Sequence, residues 1–162
     1  MGLDARHLRL HIVRPTLAYL NPAWRYSLAA ENLLMGTAAH ESGGFKWLVQ
    51  RDGGPARGLW QIEPATLKDI IDRYLHKPKH VERFSHVMAL TGTAPTREEQ
   101  LVTNLAFACA IARVRYAMSP DPLPAVADDI ESLARIWKRV YNTHIGAGSI
   151  SEFRAAYETY CR

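Results

Sequence analysis

A glutamate interrupts an apolar pattern. Ala30, Leu34 and Ala38 recur at helical spacing, and the same face runs on to Glu41, where another buried apolar residue is expected. A carboxyl group partly withdrawn from water has its charged form disfavoured, with a pKa raised by up to about 3 to 5 units when burial is complete. Such a group keeps its proton near neutral pH and can donate it, which is what general acid catalysis requires. The competing reading is a helix-terminal glutamate that is solvated, or paired with Arg51 or Arg57. The residues around it suit a sugar polymer. Trp47, Trp60 and Tyr141 offer flat faces for pyranose rings, and the Gln61 amide can bond hydroxyl and N-acetyl groups. Each aromatic taken alone is more often core, and Trp137 lies on a core stripe. A glycosidase with two carboxylates places them about 5 to 9.5 Å apart, and the nearest acids in sequence are Asp52 and Glu63.

Other chemistries find less support. His76 and His80 are four apart, but Pro78 disrupts the helix that would align them, and neither this pair nor His7 and His11 has a third ligand at matching spacing. His40-Glu41 fails as H-E-x-x-H because Gly44 occupies the final position. No glycine-rich loop carries the lysine of a phosphate-binding loop. Neither a metal nor a cofactor is therefore expected. Cys109 reads as core filler and Cys161 as an exposed free thiol, which is no disulfide framework.

Two segments carry a family resemblance. Glu41-Ser42-Gly43-Gly44-Phe45 is followed after a turn by Gly58-Leu59-Trp60-Gln61-Ile62-Glu63-Pro64-Ala65-Thr66. This order is similar to the lytic transglycosylase and goose-type lysozyme superfamily, in which an E-S motif closes a helix and G-L-M-Q-I-x-P-x-T follows. Trp60 stands where that family usually has Met. Val140-Tyr141-Asn142, then Gly146-Ala147-Gly148, resembles in part the family's A-Y-N-A-G, with Thr143, His144 and Ile145 inserted. The style of the chain looks like the small phage-encoded members.

The resemblance implies a mainly α, lysozyme-like helical domain with a substrate cleft and little β structure. It implies Glu41 as the sole essential carboxylate, with Gln61, Tyr141, Trp60 and Asn142 as substrate-binding residues and Ser42 supporting the helix end and the substrate site. The implied substrate is peptidoglycan, cleaved between N-acetylmuramic acid and N-acetylglucosamine with 1,6-anhydro ends. If water enters instead, the same site is a lysozyme. A non-catalytic virion structural or wall-docking protein is the rival, permitted by the altered third motif.

The elements that must position these residues are helices. Leu10, Val13, Leu17 and Leu20 predict a first helix with Pro15 at an early turn or kink, and a second runs from the candidate N-cap Ser27 to Glu41. Ser42-Gly43-Gly44 ends it. Leu59 to Ile62 reads as a short extended piece, and Pro64 opens a helix whose inward stripe is Leu67, Ile70, Ile71 and Tyr74. Thr96 with Glu99 forms a capping box for one long helix through Leu101, Leu105, Ala108, Ala112 and Tyr116. Ser119 to Pro124 is a loop. Val126, Ile130, Leu133, Trp137 and Val140 mark a further helix. Ser149 with Glu152 caps the last, with Phe153, Tyr157 and Tyr160 facing in.

The 162 residues suffice for a single domain, and 48% hydrophobic with 22% charged residues excludes disordered and fibrous classes. No apolar run approaches the roughly 20 residues of a membrane span, so no stable membrane insertion is expected. Charges scattered through MGLDARHLRLHIVRP leave no apolar core for a secretory signal. With that, the resemblance implies a phage virion, or the host cytoplasm before release to the wall, as the location, and virion assembly as a second class of partner. A net charge of +4 favours polyanions, but the basic residues are dispersed, so nucleic acid is not the expected partner. Peptidoglycan glycan strands are.

Overall fold

The structure is a computed structural model that describes residues 2–142 and 146–162. It is mainly helical, and among the described residues the only β pairing is two isolated bridges, Val49 with Arg57 and Arg57 with Ile62. Helix α1 covers residues 5–19, with a wide π-helical stretch at Arg9–Val13 that ends two residues before Pro15. Proline supplies no N–H and its ring crowds the carbonyl four residues back, a conflict that a π turn absorbs.

Helix α2, Leu28–Glu41, occupies the centre, and Ser27 caps it by accepting a hydrogen bond from the Ala30 amide. Every residue from Ala29 to Ala39 is buried. The helix thus has no solvent face, and the sequence stripe understates its burial. Its small residues admit neighbours closely: a Cβ on Gly36 would lie 2.4 Å from the ring of Phe153. That ring belongs to α8, Ile150–Tyr160, which follows the expected Ser149–Glu152 capping box. Phe153 and Tyr157 are buried there, whereas Tyr160 is partly exposed and lies over Gly44.

Between these, α3 covers residues 64–75 with Pro64 in its first turn, α4 is Val81–Met88, and α7 covers residues 130–142 and ends in a π-helical turn at Trp137–Asn142. Four expectations are corrected. The helix after Thr96 is two helices, α5 Arg97–Thr103 and α6 Leu105–Ala117, because Asn104 leaves helical geometry and its side chain caps α6 through the Phe107 amide. Residues 58–61 form a turn rather than an extended piece, with Gln61 at φ 45°. Val126 lies outside α7, which starts at Ile130 under the Asp129 cap. Cys161 is half-buried, and burial pushes its thiol up to about 12. Cys109 is core, as expected.

At the start of α2 a carboxylate is wholly enclosed. Glu31 accepts hydrogen bonds at 2.9 Å from Arg9, at 2.9 Å from two nitrogens of Arg14, and at 3.0 Å from the Tyr26 hydroxyl. Burial opposes its charge, but the bonds from Arg14, Arg9 and Tyr26 outweigh that and hold its pKa below the ordinary value. This cluster clamps α1 onto α2.

Replacing Glu31 by Gln leaves the clustered arginines uncompensated, and we expect a loss of about 3 to 5 kcal/mol in urea unfolding at pH 7. Because the folded pKa lies below the ordinary 4.5, the contribution is full above that value and disappears as pH falls through the folded pKa. Wild-type stability should therefore drop on acidification across this range, and that of Glu31→Gln should drop less.

Candidate functional site

Glu41 is the last residue of α2, where the buried helix reaches the surface of a cleft. The chain must turn sharply there. The Ser42 hydroxyl donates to the Ala38 carbonyl at 2.6 Å and accepts from the Phe45 amide at 2.9 Å, closing the helix end. Gly43, Gly44 and Phe45 all take positive φ, and a Cβ on Gly44 would strike the Tyr160 ring at 2.6 Å, so glycine serves there both for conformation and for space.

The second segment is fixed from beneath. Trp60 is fully buried, and its indole N–H donates to the Leu34 carbonyl of α2 at 3.0 Å. Gly58, at φ 74°, lies so close to α5 that a Cβ would fall 2.0 Å from the Leu101 carbonyl oxygen. The strained Gln61 then projects beside the cleft, its amide donating to the Gly58 carbonyl at 2.8 Å.

The third segment is the π-helical turn of α7. Its Tyr141 hydroxyl donates to the Trp60 carbonyl at 2.7 Å, and the ring stacks on Tyr116 with centroids 5.3 Å apart. Burial, then Tyr116, then the negative charge of Glu41 push the Tyr141 phenol well above its ordinary pKa, so it stays a neutral donor. The side-chain oxygen of Asn142 accepts from Lys138 at 2.7 Å. Thr143, His144 and Ile145, the insertion noted in the sequence, lie outside the described residues.

The three segments converge on one cleft of about 370 Å³, lined by Glu41, Gln61, Tyr141 and Asn142 together with Trp47, Arg51, Glu63 and Arg115, among others. Such a volume lies at the small-ligand end of the usual range of about 300 to 1,000 Å³. The Glu41 side chain is 18% exposed, and its Oε1 accepts a hydrogen bond from the Trp137 indole at 3.0 Å. His40 Nδ1 stands 3.5 Å from the same oxygen, and its ring packs on Trp137. Neither arginine of the alternative reading pairs with Glu41: Arg57 bonds the carbonyls of Gly54 and Ala56, and Arg51 lies over the Trp47 ring.

Two site assignments are corrected. Trp60 cannot stack on a ligand, since the body of its ring fills the core. Ser42 is fully buried and spends its hydroxyl on the backbone, so it orients the helix end without reaching the cleft. Trp47 does line the cleft and is 45% exposed. Trp137 is buried as its core stripe implied, but its N–H contact to Glu41 and the presence of Arg115 in the cleft were not anticipated. Only the spacing of Trp137 four residues before Tyr141, on the same helical face, could have signalled the former.

Among the described residues no group of three or more His, Cys, Asp or Glu side chains could hold a metal ion, and no helix is long and apolar enough to cross a membrane. No family model, no curated protein and no solved structure matches the chain.

The phenol assignments can be read by absorbance. Of the seven tyrosines, Tyr116 and Tyr141 should remain protonated after ordinary phenols have ionised near pH ~10. Titration at 295 nm should lose a late phase, rather than an ordinary one, in Tyr141→Phe.

Proposed function

We propose that the protein cleaves the β-1,4 bond between N-acetylmuramic acid and N-acetylglucosamine in peptidoglycan, with Glu41 as general acid and then general base. On this reading the mainly helical chain is a lysozyme-like domain and the cleft holds the glycan strand. One observation carries it: Glu41 closes a buried helix, opens on the cleft, and is held by an indole N–H instead of an arginine. An indole can donate to the carboxyl oxygen in either protonation state, so it fixes the direction of the group through a cycle in which the proton leaves and returns.

The steps follow from that placement. Glu41 gives its proton to the glycosidic oxygen as the bond to the anomeric carbon breaks, and the substrate's own acetamido oxygen closes on that carbon. The Glu41 carboxylate then takes the proton of the sugar's C6 hydroxyl while the C6 oxygen displaces the acetamido oxygen, leaving a 1,6-anhydro ring and no water consumed. Tyr141, a neutral phenol, and Gln61 border the same space and supply polar contacts for the sugar. Trp47 supplies a partly exposed flat face.

A hydrolytic outcome is favoured by one feature. Glu63 lines the same cleft as Glu41, so a second carboxylate is present there, as a two-acid glycosidase requires.

Clearing of purified peptidoglycan tests the proposal. Glu41→Gln should lose activity by about 10²- to 10⁴-fold, the usual contribution of a general acid, while Trp137→Phe, which keeps the ring but removes the donor, should lose about 10²-fold through misplacement. Full lysis by Glu41→Gln overturns the reading, as does a wild type without activity. Mass spectrometry of the fragments separates the two chemistries. Anhydro products that persist in Glu63→Gln support the single-acid route, whereas reducing ends that vanish in that variant establish hydrolysis by a pair.

A further inference from the structure

The cleft carries more charge than proton transfer at Glu41 uses. Arg115 projects from the last turn of α6 into the cleft, and among the described residues its guanidinium has no ion pair and no hydrogen bond. Neither Glu41 nor Glu63, the acids that share the cleft, forms an ion pair with it. It is the neighbour in sequence of Tyr116, whose ring stacks on Tyr141 of the same cleft lining. Arg51 stands on the same lining without a carboxylate partner, its guanidinium 5.5 Å over the Trp47 ring. Arg9 and Lys138, by contrast, are engaged, the first by Glu31 and the second by Asn142 and the Gly146 carbonyl, while Arg113 leaves its buried Nε without a partner, away from the cleft lining.

A guanidinium lining a concave, partly dehydrated surface is a ready partner for an oxyanion, through two parallel N–H bonds. A polymer of N-acetylglucosamine alone is neutral and offers it nothing, whereas N-acetylmuramic acid brings a carboxyl group on its lactyl substituent, free or extended by a peptide. The peptides attached to a peptidoglycan strand end in free carboxylates. We propose that Arg115, flanked by Arg51, forms an anion subsite that binds a carboxylate of the peptide substituent, so that the protein prefers strands whose peptides carry free carboxylates to strands whose peptides are amidated. This inference rests on the proposed function and adds to it the part of the substrate that the sugar-binding residues do not read.

The test uses the full chain carrying Glu41→Gln, so that ligands survive, and a tetrasaccharide of alternating N-acetylglucosamine and N-acetylmuramic acid bearing dipeptides. One preparation has both glutamyl carboxylates free, and the other has both converted to amides. By calorimetry the free acid should bind about tenfold more tightly, the equivalent of one charge-assisted hydrogen bond. Adding Arg115→Gln should abolish the difference while leaving the amide's affinity unchanged, and Arg115→Lys should restore part of it. Arg51→Gln should reduce the preference less. Equal binding of the two ligands overturns the subsite but leaves the proposed function standing. Equal weakening of both by Arg115→Gln also overturns it, since that marks a structural role. Failure of either ligand to bind, with a wild type that does not clear peptidoglycan, overturns the proposed function as well.

Discussion

Helix α2 has no face toward solvent, and the rest of the protein is arranged around that constraint. A helix buried on every side must place its polar side chains at its ends or have them met by partners inside. Both solutions occur with the same residue type. Glu31, in the first turn, is enclosed by two arginines and a tyrosine and serves to fix α1 against the core. Glu41, at the last residue, meets one indole N–H and a cleft. The first is a carboxylate whose charge is fully answered by the protein. The second keeps one side open to the cleft.

The sequence pattern was most legible where structure is local. Ser27, the Thr96–Glu99 box, the Ser149–Glu152 box and Pro64 all lie where their short-range chemistry puts them, because a cap depends on residues within one turn. Asn104 escaped notice because the apolar rows of α5 and α6 stay in register across it. Only its side chain, competing for the Phe107 amide, shows the break. Glu41, Gln61, Tyr141 and Asn142 line one cleft, reached from three segments in chain order. The partners of those residues did not show in the order at all: the Trp137–Glu41 bond spans 96 positions and the Tyr141–Trp60 bond spans 81.

Long-range partners also explain why Trp60 belongs to the core. The turn at residues 58–61 holds Gln61 at φ 45°, a conformation costing on the order of 1 to 3 kcal/mol for a residue that is not glycine. Such a turn persists only if something over-determines it. The buried Trp60 ring, anchored to the Leu34 carbonyl, holds it from below, and its own carbonyl accepts the Tyr141 hydroxyl from across the cleft. One residue thereby ties α2, the turn and the π-helical end of α7 into a single rigid surface. An aromatic at this position contributes more by fixing its neighbours than it could by touching a sugar. An exposed ring would leave Gln61 and Tyr141 without the common support that sets their distance from Glu41.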